Sequence, residues 1–253
     1  MLNPQFGSGV LFGIPNAGNL VTNPTPLQFG ILQEVSVEFK ADLKKLYGQY
    51  QGALATARGK IDITAKGKIA SLDPMFYSQL YFGLPTTSGV NRPVFNEPHA
   101  PSASVAPGQT TATADMGVIN ASTGLAFTKI PTGTPIAGQY KFTSAVNGGS
   151  PTPASYTFAA GETATNVLIS YTWPDTLGTT LQITNQLMGY APEFQSLLYN
   201  SFRGSLFALQ LQCCTMGSLS IPSKQEDFWI SDFDMDASAD ISGVLGYIYA
   251  DQL

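Results

Sequence analysis

The sequence predicts a mainly β fold with one short flanking helix. Three observations carry this prediction. Apolar and polar residues alternate with a period of two over several segments, the signature of half-buried strands. Those segments are rich in Val, Ile, Thr, Tyr and Phe and are separated by turn residues, 25 Gly and 17 Pro in 253 residues. Only one stretch carries both the start and the stop signals of a helix.

Residues 1–29, rich in Gly, Asn and Pro, read as an extended arm. Its scattered Leu11, Phe12, Ile14 and Leu20 suit an arm that docks on a neighbouring chain. From Ile31 the alternation begins. Ile31, Val35, Val37 and Phe39 fall on one face, with Glu34, Ser36, Glu38 and Lys40 on the other. A turn is expected at Tyr47, Gly48 and Gln49, and a second strand sets Ile61, Ile63, Ala65 and Ile69 against Asp62, Thr64, Lys66 and Lys68. The helix follows. Asp73 is placed to cap it, Pro74 to occupy its first position, and Gly83 to end it in a left-handed conformation. At about nine residues it is too short to stand without packing on the strands.

Residues 84–110 are dense in Pro, Ser, Thr and Gly and read as a linker or long loop. Beyond them AFTKI, GQYKFTSA, ASYTFAAG and NVLISYTW are strand-like runs of a small sandwich, with a turn at Gly148, Gly149, Ser150 and Pro151. Pro174 and Gly178 mark its end. The expected organisation is an arm over 1–29, a core in two parts over 30–95 and 175–253, and an inserted β module over 96–174. In the last third Leu181 and Ile183 alternate with polar residues. LLYN and LFALQLQC flank a turn at 201–205, and Phe233 and Met235 alternate with Asp232, Asp234 and Asp236.

Charged residues make up only 11% of the chain against roughly 25% in ordinary globular domains. With 43% hydrophobic residues this is not a disordered composition. It fits a protein whose faces are covered by neighbouring copies. A net charge of −5 gives no basic footprint for nucleic acid over the whole chain. Seven of the twelve bases cluster between Lys40 and Lys68, whereas 226–251 carries seven acids and no base. Adjacent Cys213 and Cys214 read as two reduced thiols on a strand. The first residues lack a basic region followed by an apolar run, so no signal peptide is expected. No window is long and apolar enough for a membrane helix.

The chemistry-bearing residues are sparse. The one histidine, His99, lies in a Pro-rich stretch with no nucleophile motif beside it and reads as a loop histidine. No Cys/His spacing suits zinc, and the glycines of Gly7-Ser8-Gly9 lack the residues of a phosphate loop. Asp232, Asp234 and Asp236 start like a calcium loop, but Ala237 and Gly243 stand where that loop needs Gly and Glu. A strand with its wet face acidic accounts for them better. No carboxylate pair is singled out for glycoside hydrolysis. The expectation is a non-enzyme without catalytic residues, metal or cofactor.

Three segments carry a resemblance. FGILQEVSVEFKADLKKLYGQYQ (29–51) with ARGKIDITAKGKIASL (57–72) is similar to the opening of bacteriophage major tail tube proteins. YTFAAGETATNVLISYTW (156–173) resembles a β segment of phage structural proteins. TNQLMGYAPEFQSLLYNSFRGSLFALQLQCC (184–214) with SKQEDFWISDFDMDASAD resembles the C-terminal half of the same tail proteins. Together they cover well over half the chain in the family's order.

The resemblance implies a tail-tube-like β-sandwich or barrel with one flanking helix. It implies six copies closing a ring and rings stacking into a tube that passes DNA without holding it. Partners would be the chain itself and other phage tail proteins, with no membrane insertion by this subunit. The site would be the virion, after synthesis and assembly in the host cytoplasm. Leu11, Phe12, Ile14, Leu43, Leu46 and Tyr47 are then the candidate inter-subunit contacts. Asp232, Asp234 and Asp236 are the candidate acidic lining of the lumen. The sequence barely separates a long non-contractile tail from the inner tube of a contractile one, and the reading leans to the former, siphovirus-like kind. A surface adhesin or a carbohydrate-binding β-sandwich is the alternative from another class.

Overall fold

A computed structural model describes residues 5–16, 25–71, 73–100, 102–146, 152–164 and 166–250. The chain is mainly β, as the alternation predicts, and divides into two compact units. One comprises Met1–Thr86 with Leu181–Leu253, and the other is the insertion Thr87–Thr180. Leu20 and the expected turn at Gly148, Gly149, Ser150 and Pro151 lie outside the described residues.

The first half of the core unit contributes β1 (Val10–Pro15), β2 (Leu27–Gln28), β3 (Leu32–Tyr47) and β4 (Ala53–Ile69). A helical segment follows, α1 (Pro74–Phe76) widening into a π-helical turn (Tyr77–Phe82). Its punctuation is as read from the sequence. The Met75 amide donates to Asp73 Oδ1 at 2.9 Å, Pro74 stands at the first helical position, and Gly83 ends the segment at φ 61°. The Gly83 and Leu84 amides both donate to the Ser78 carbonyl, which satisfies an end the backbone alone would leave open.

The insertion contains β5 (Thr86–His99), β6 (Ser104–Val105), β7 (Ala114–Asn120), β8 (Thr128–Lys129), β9 (Gln139–Thr143), β10 (Ser155–Phe158) and β11 (Val167–Leu181). Two sheets, in the orders β6-β10-β9-β8 and β5-β11-β7, enclose a core that includes Val118, Tyr140, Tyr156, Phe158, Ile169 and Tyr171. This is the small sandwich that the sequence predicts, with wider bounds than 96–174. The long loop expected over 84–110 is largely the 14-residue strand β5. Pro93 and Pro98 suggested a loop, but β5 is an edge strand, the place in a sheet where proline is tolerated.

The chain returns to the core unit as β12 (Phe194–Phe202), β13 (Ser205–Leu219), β14 (Ser231–Ser238) and β15 (Gly246–Ala250). β12 and β13 form a hairpin through Arg203 and Gly204, at φ 52° and 82°, the pair of positive dihedrals that a tight hairpin turn requires. The strand expected around Leu181 and Ile183 ends at Leu181.

All the core unit's described strands join one sheet in the order β2-β1-β12-β13-β14-β4-β3, with β15 pairing the first half of β13. The sheet is open at β2 and β3, so the described strands form no closed barrel. One face buries Leu11, Ile63, Leu209, Leu211, Phe233 and Met235, and the helical segment adds Phe76, Tyr77 and Leu80. The first strand corrects, over Val10–Pro15, the reading of 1–29 as an extended arm that docks on a neighbouring chain. Val10–Pro15 pairs residue by residue with β12, and Leu11 is 1% exposed. The same alternation that marks the later strands operates here, hidden by the surrounding Gly, Asn and Pro.

Candidate assembly surface

The geometry of the core unit is set by how far each pair of strands extends. β3 and β4 pair from Leu32 with Ile69 out to Tyr47 with Ala53. β14 covers β4 only over 63–69. Among the described residues, the outer part of the β3–β4 hairpin therefore has no third strand. Every residue from 42 to 62 is exposed, and the arm runs on for about 20 Å at roughly 3.3 Å per residue.

This arm is not polar, as an isolated ribbon in water should be. Leu43, Leu46, Tyr47, Tyr50 and Leu54 are between 58% and 73% exposed. Lys40, Lys44, Lys45, Arg58 and Lys60 stand against only Asp42 and Asp62 on the same stretch. A two-stranded ribbon lacking a packed face is marginal by itself. Grouped exposed apolar side chains rimmed by charge are the kind of patch at which proteins meet partners.

Of the predicted contacts, Leu43, Leu46 and Tyr47 all lie on this exposed arm. Phe12 and Ile14 are half-buried on the face of β1 opposite Leu11. Leu11 is buried in the chain's own core and is removed from the set. What the sequence missed is the arm's length and the part of the second strand before Ile61, Leu54 included. The Ala-Thr-Ala-Arg-Gly run of β4 offers no apolar alternation to signal a strand.

The acidic strand behaves as its period of two requires. Phe233 and Met235 are buried, and Asp232, Asp234 and Asp236 project from the other face. The neighbouring register places Lys68 opposite Asp232 and Lys66 opposite Asp234, with Glu34 and Ser36 one strand further. Lys68 pairs with Glu34 at 3.5 Å, and the Thr64 hydroxyl donates to Asp236 Oδ1 at 3.0 Å. The candidate acidic lining thus shares its face with two lysines. Glu34, Glu38, Asp232, Asp234 and Asp236 outnumber Lys66 and Lys68.

Two polar clusters, at Glu97 and at Asp115, lie in the insertion, and one buried thiol, Cys214, lies in the core unit. His99 Nε2 lies 2.7 Å from Glu97 Oε1, and Glu97 also accepts from the Tyr171 hydroxyl and the Gly108 amide. Burial opposes the charge on Glu97, but these three donors outweigh it and hold its carboxyl below the usual value. Burial pushes the Cys214 thiol up to about 12, which leaves it protonated and inert at neutral pH. Asp115, its side chain 2% exposed, accepts from the Tyr140 and Tyr156 hydroxyls at 2.7 and 3.1 Å and meets Lys129 Nζ at 3.0 Å. Each donor is satisfied within the fold, and these contacts tie the insertion's strands together.

No protein-family model and no curated protein matches the chain.

Proposed function

We propose that this chain is a structural subunit that works by self-assembly, as a phage tail tube protein whose rings stack into a channel. The observation that carries the proposal is the β3–β4 arm, which exposes large apolar side chains on a ribbon with no packed layer of its own. The outer edge of β3, unpaired among the described residues, adds to it. Open edges are an aggregation hazard unless something pairs them, and a ring of identical subunits closes every edge on its neighbour. The ordered resemblance of 29–51, 57–72, 156–173 and 184–214 to tail tube proteins selects the tube among possible assemblies.

In this reading the wet face of β14 lines the lumen. Its acids, outnumbering Lys66 and Lys68, give passing phosphates no net attraction, so DNA slides rather than binds. The subunit's partners are its own copies and other tail proteins, and its place is the virion after assembly in the host cytoplasm.

Negative-stain microscopy of the purified protein, over a range of concentration and salt, tests the proposal. Rings or tubes are the expected result. Small monodisperse particles under every condition would refute it.

A further inference from the structure

Where the β3–β4 arm leaves the sheet, it opens a cleft. β15 occupies the flank of β13 that β14 takes further along, yet it does not pair with β4. The cleft between them has a volume of about 270 Å³ and is lined chiefly by Phe39, Ile61, Ile63, Leu209, Leu211 and Ile248. Lys40 and Arg58 are the charged residues among those that border it. An apolar cavity of about 150 Å³ already accepts benzene, so this one has room for an indole. Phe39, Ile61 and Ile248 are 53%, 43% and 63% exposed, which leaves its walls wet in a single chain.

The complement to this cleft lies at the other end of the same sheet. Residues 220–230 join β13 to β14 outside any strand. They present Phe228 at 83% exposure and Trp229 at 46%, preceded by Glu226 and by Asp227, which pairs with Lys224 of the same segment at 3.2 Å across an exposed contact that a neighbour's cation can replace. The segment leads directly into Ser231, whose ladder partner is Ile69. The cleft sits at Ile61, eight residues back along β4 and so about 26 Å away. One chain therefore cannot seat its own segment in its own cleft.

We infer that residues 226–230 of a second copy fill the cleft between β4 and β15, placing Phe228 or Trp229 against the apolar walls and Glu226 and Asp227 beside Lys40 and Arg58. The occupant is argued from charge and shape. The charged residues bordering the cleft are basic and its walls apolar, and the segment is acidic and aromatic. The contact is heterologous, since the two surfaces are different and lie at opposite ends of the strands. It repeats along the strand direction and adds one layer of subunits to the next. The inference rests on the self-assembly reading and deepens it by naming both halves of the contact.

The test uses the full chain with a photo-crosslinking phenylalanine analogue at Phe228, a position exposed enough to leave folding intact. In assembled material, crosslinks to peptides containing Ile61 or Ile248 of another copy are expected. Crosslinks confined to other segments would overturn the inference while leaving self-assembly standing. In parallel, Arg58→Glu is expected to raise the concentration needed for assembly at least tenfold, and Arg58→Glu with Asp227→Arg to recover most of that loss. Failure of the double variant to recover any of it would also count against the pairing. A wild-type protein that stays monomeric at all concentrations would remove this inference together with the reading beneath it.

Discussion

Replacing Leu46 and Tyr47 together by aspartate is expected to abolish assembly while leaving the monomer folded. In the single chain these side chains are already 63% and 58% exposed, and no core residue rests on them. Exposed substitutions away from special features change stability by roughly 0.5 kcal/mol or less, so the melting temperature should hold. Full burial of a large apolar side chain is worth about 1.5–3 kcal/mol, and about 60% of each remains to be buried, so the pair forfeits roughly 2–4 kcal/mol per contact. At about 1.4 kcal/mol per factor of ten, that weakens each contact roughly thirty- to a thousand-fold before the cost of burying two carboxylates is counted. Sedimentation velocity across a concentration series reads the shift, and circular dichroism checks the fold. Assembly at the wild-type concentration by a folded variant would show that the arm is not a contact, whatever its exposure.

Three further outcomes follow from the packing. Asp115→Ala strands the Tyr140 hydroxyl, leaves Tyr156 only its 3.3 Å bond to the Ser170 carbonyl and removes the partner of Lys129, and is expected to cost about 1–3 kcal/mol, read as a drop in that unit's thermal transition; an unchanged transition would refute the account of the cluster. A Cβ at Gly67 would lie 2.6 Å from both Phe233 Cζ and the Glu34 carbonyl oxygen, so Gly67→Val should destabilise the core unit by about 1–3 kcal/mol in denaturant titration, where a neutral result would mean that β3 and β14 yield easily. Glu97 has a folded pKa below its ordinary value of 4.5, so its contribution is present above that pH and is lost as pH falls through the lower folded value. Thermal scans from neutral pH down through 4.5 should show this loss in the wild type and a shallower one in Glu97→Gln; equal slopes would assign the acid sensitivity elsewhere.

The elements that were legible in the sequence are those whose signal is local. The period of two in Phe233 and Met235 against Asp232, Asp234 and Asp236 reflects the geometry of a strand and holds whichever partners it pairs with. Asp73, Pro74 and Gly83 punctuate the helix through contacts within a few residues of themselves. The same local cues misled where context overrides them. Pro93 and Pro98 suggested a loop and instead sit on an edge strand, and the Gly- and Pro-rich start concealed β1, whose Leu11 is held by pairing with β12.

The candidate surfaces depended on partners far apart in the chain. Nothing near Asp236 announces that Thr64, 172 positions earlier, donates to it, or that Lys66 and Lys68 interrupt the acidic face. Nor does the run around Leu46 and Tyr47 reveal that β14 stops short and leaves the hairpin bare. Alternation, capping and turn chemistry are properties of neighbouring residues, so the amino-acid order alone settled the β class, the helix and an inserted module. Which edges stay open, which charges face one another and where the cleft lies follow from the lengths and registers of distant strands, and only the folded sheet decides those.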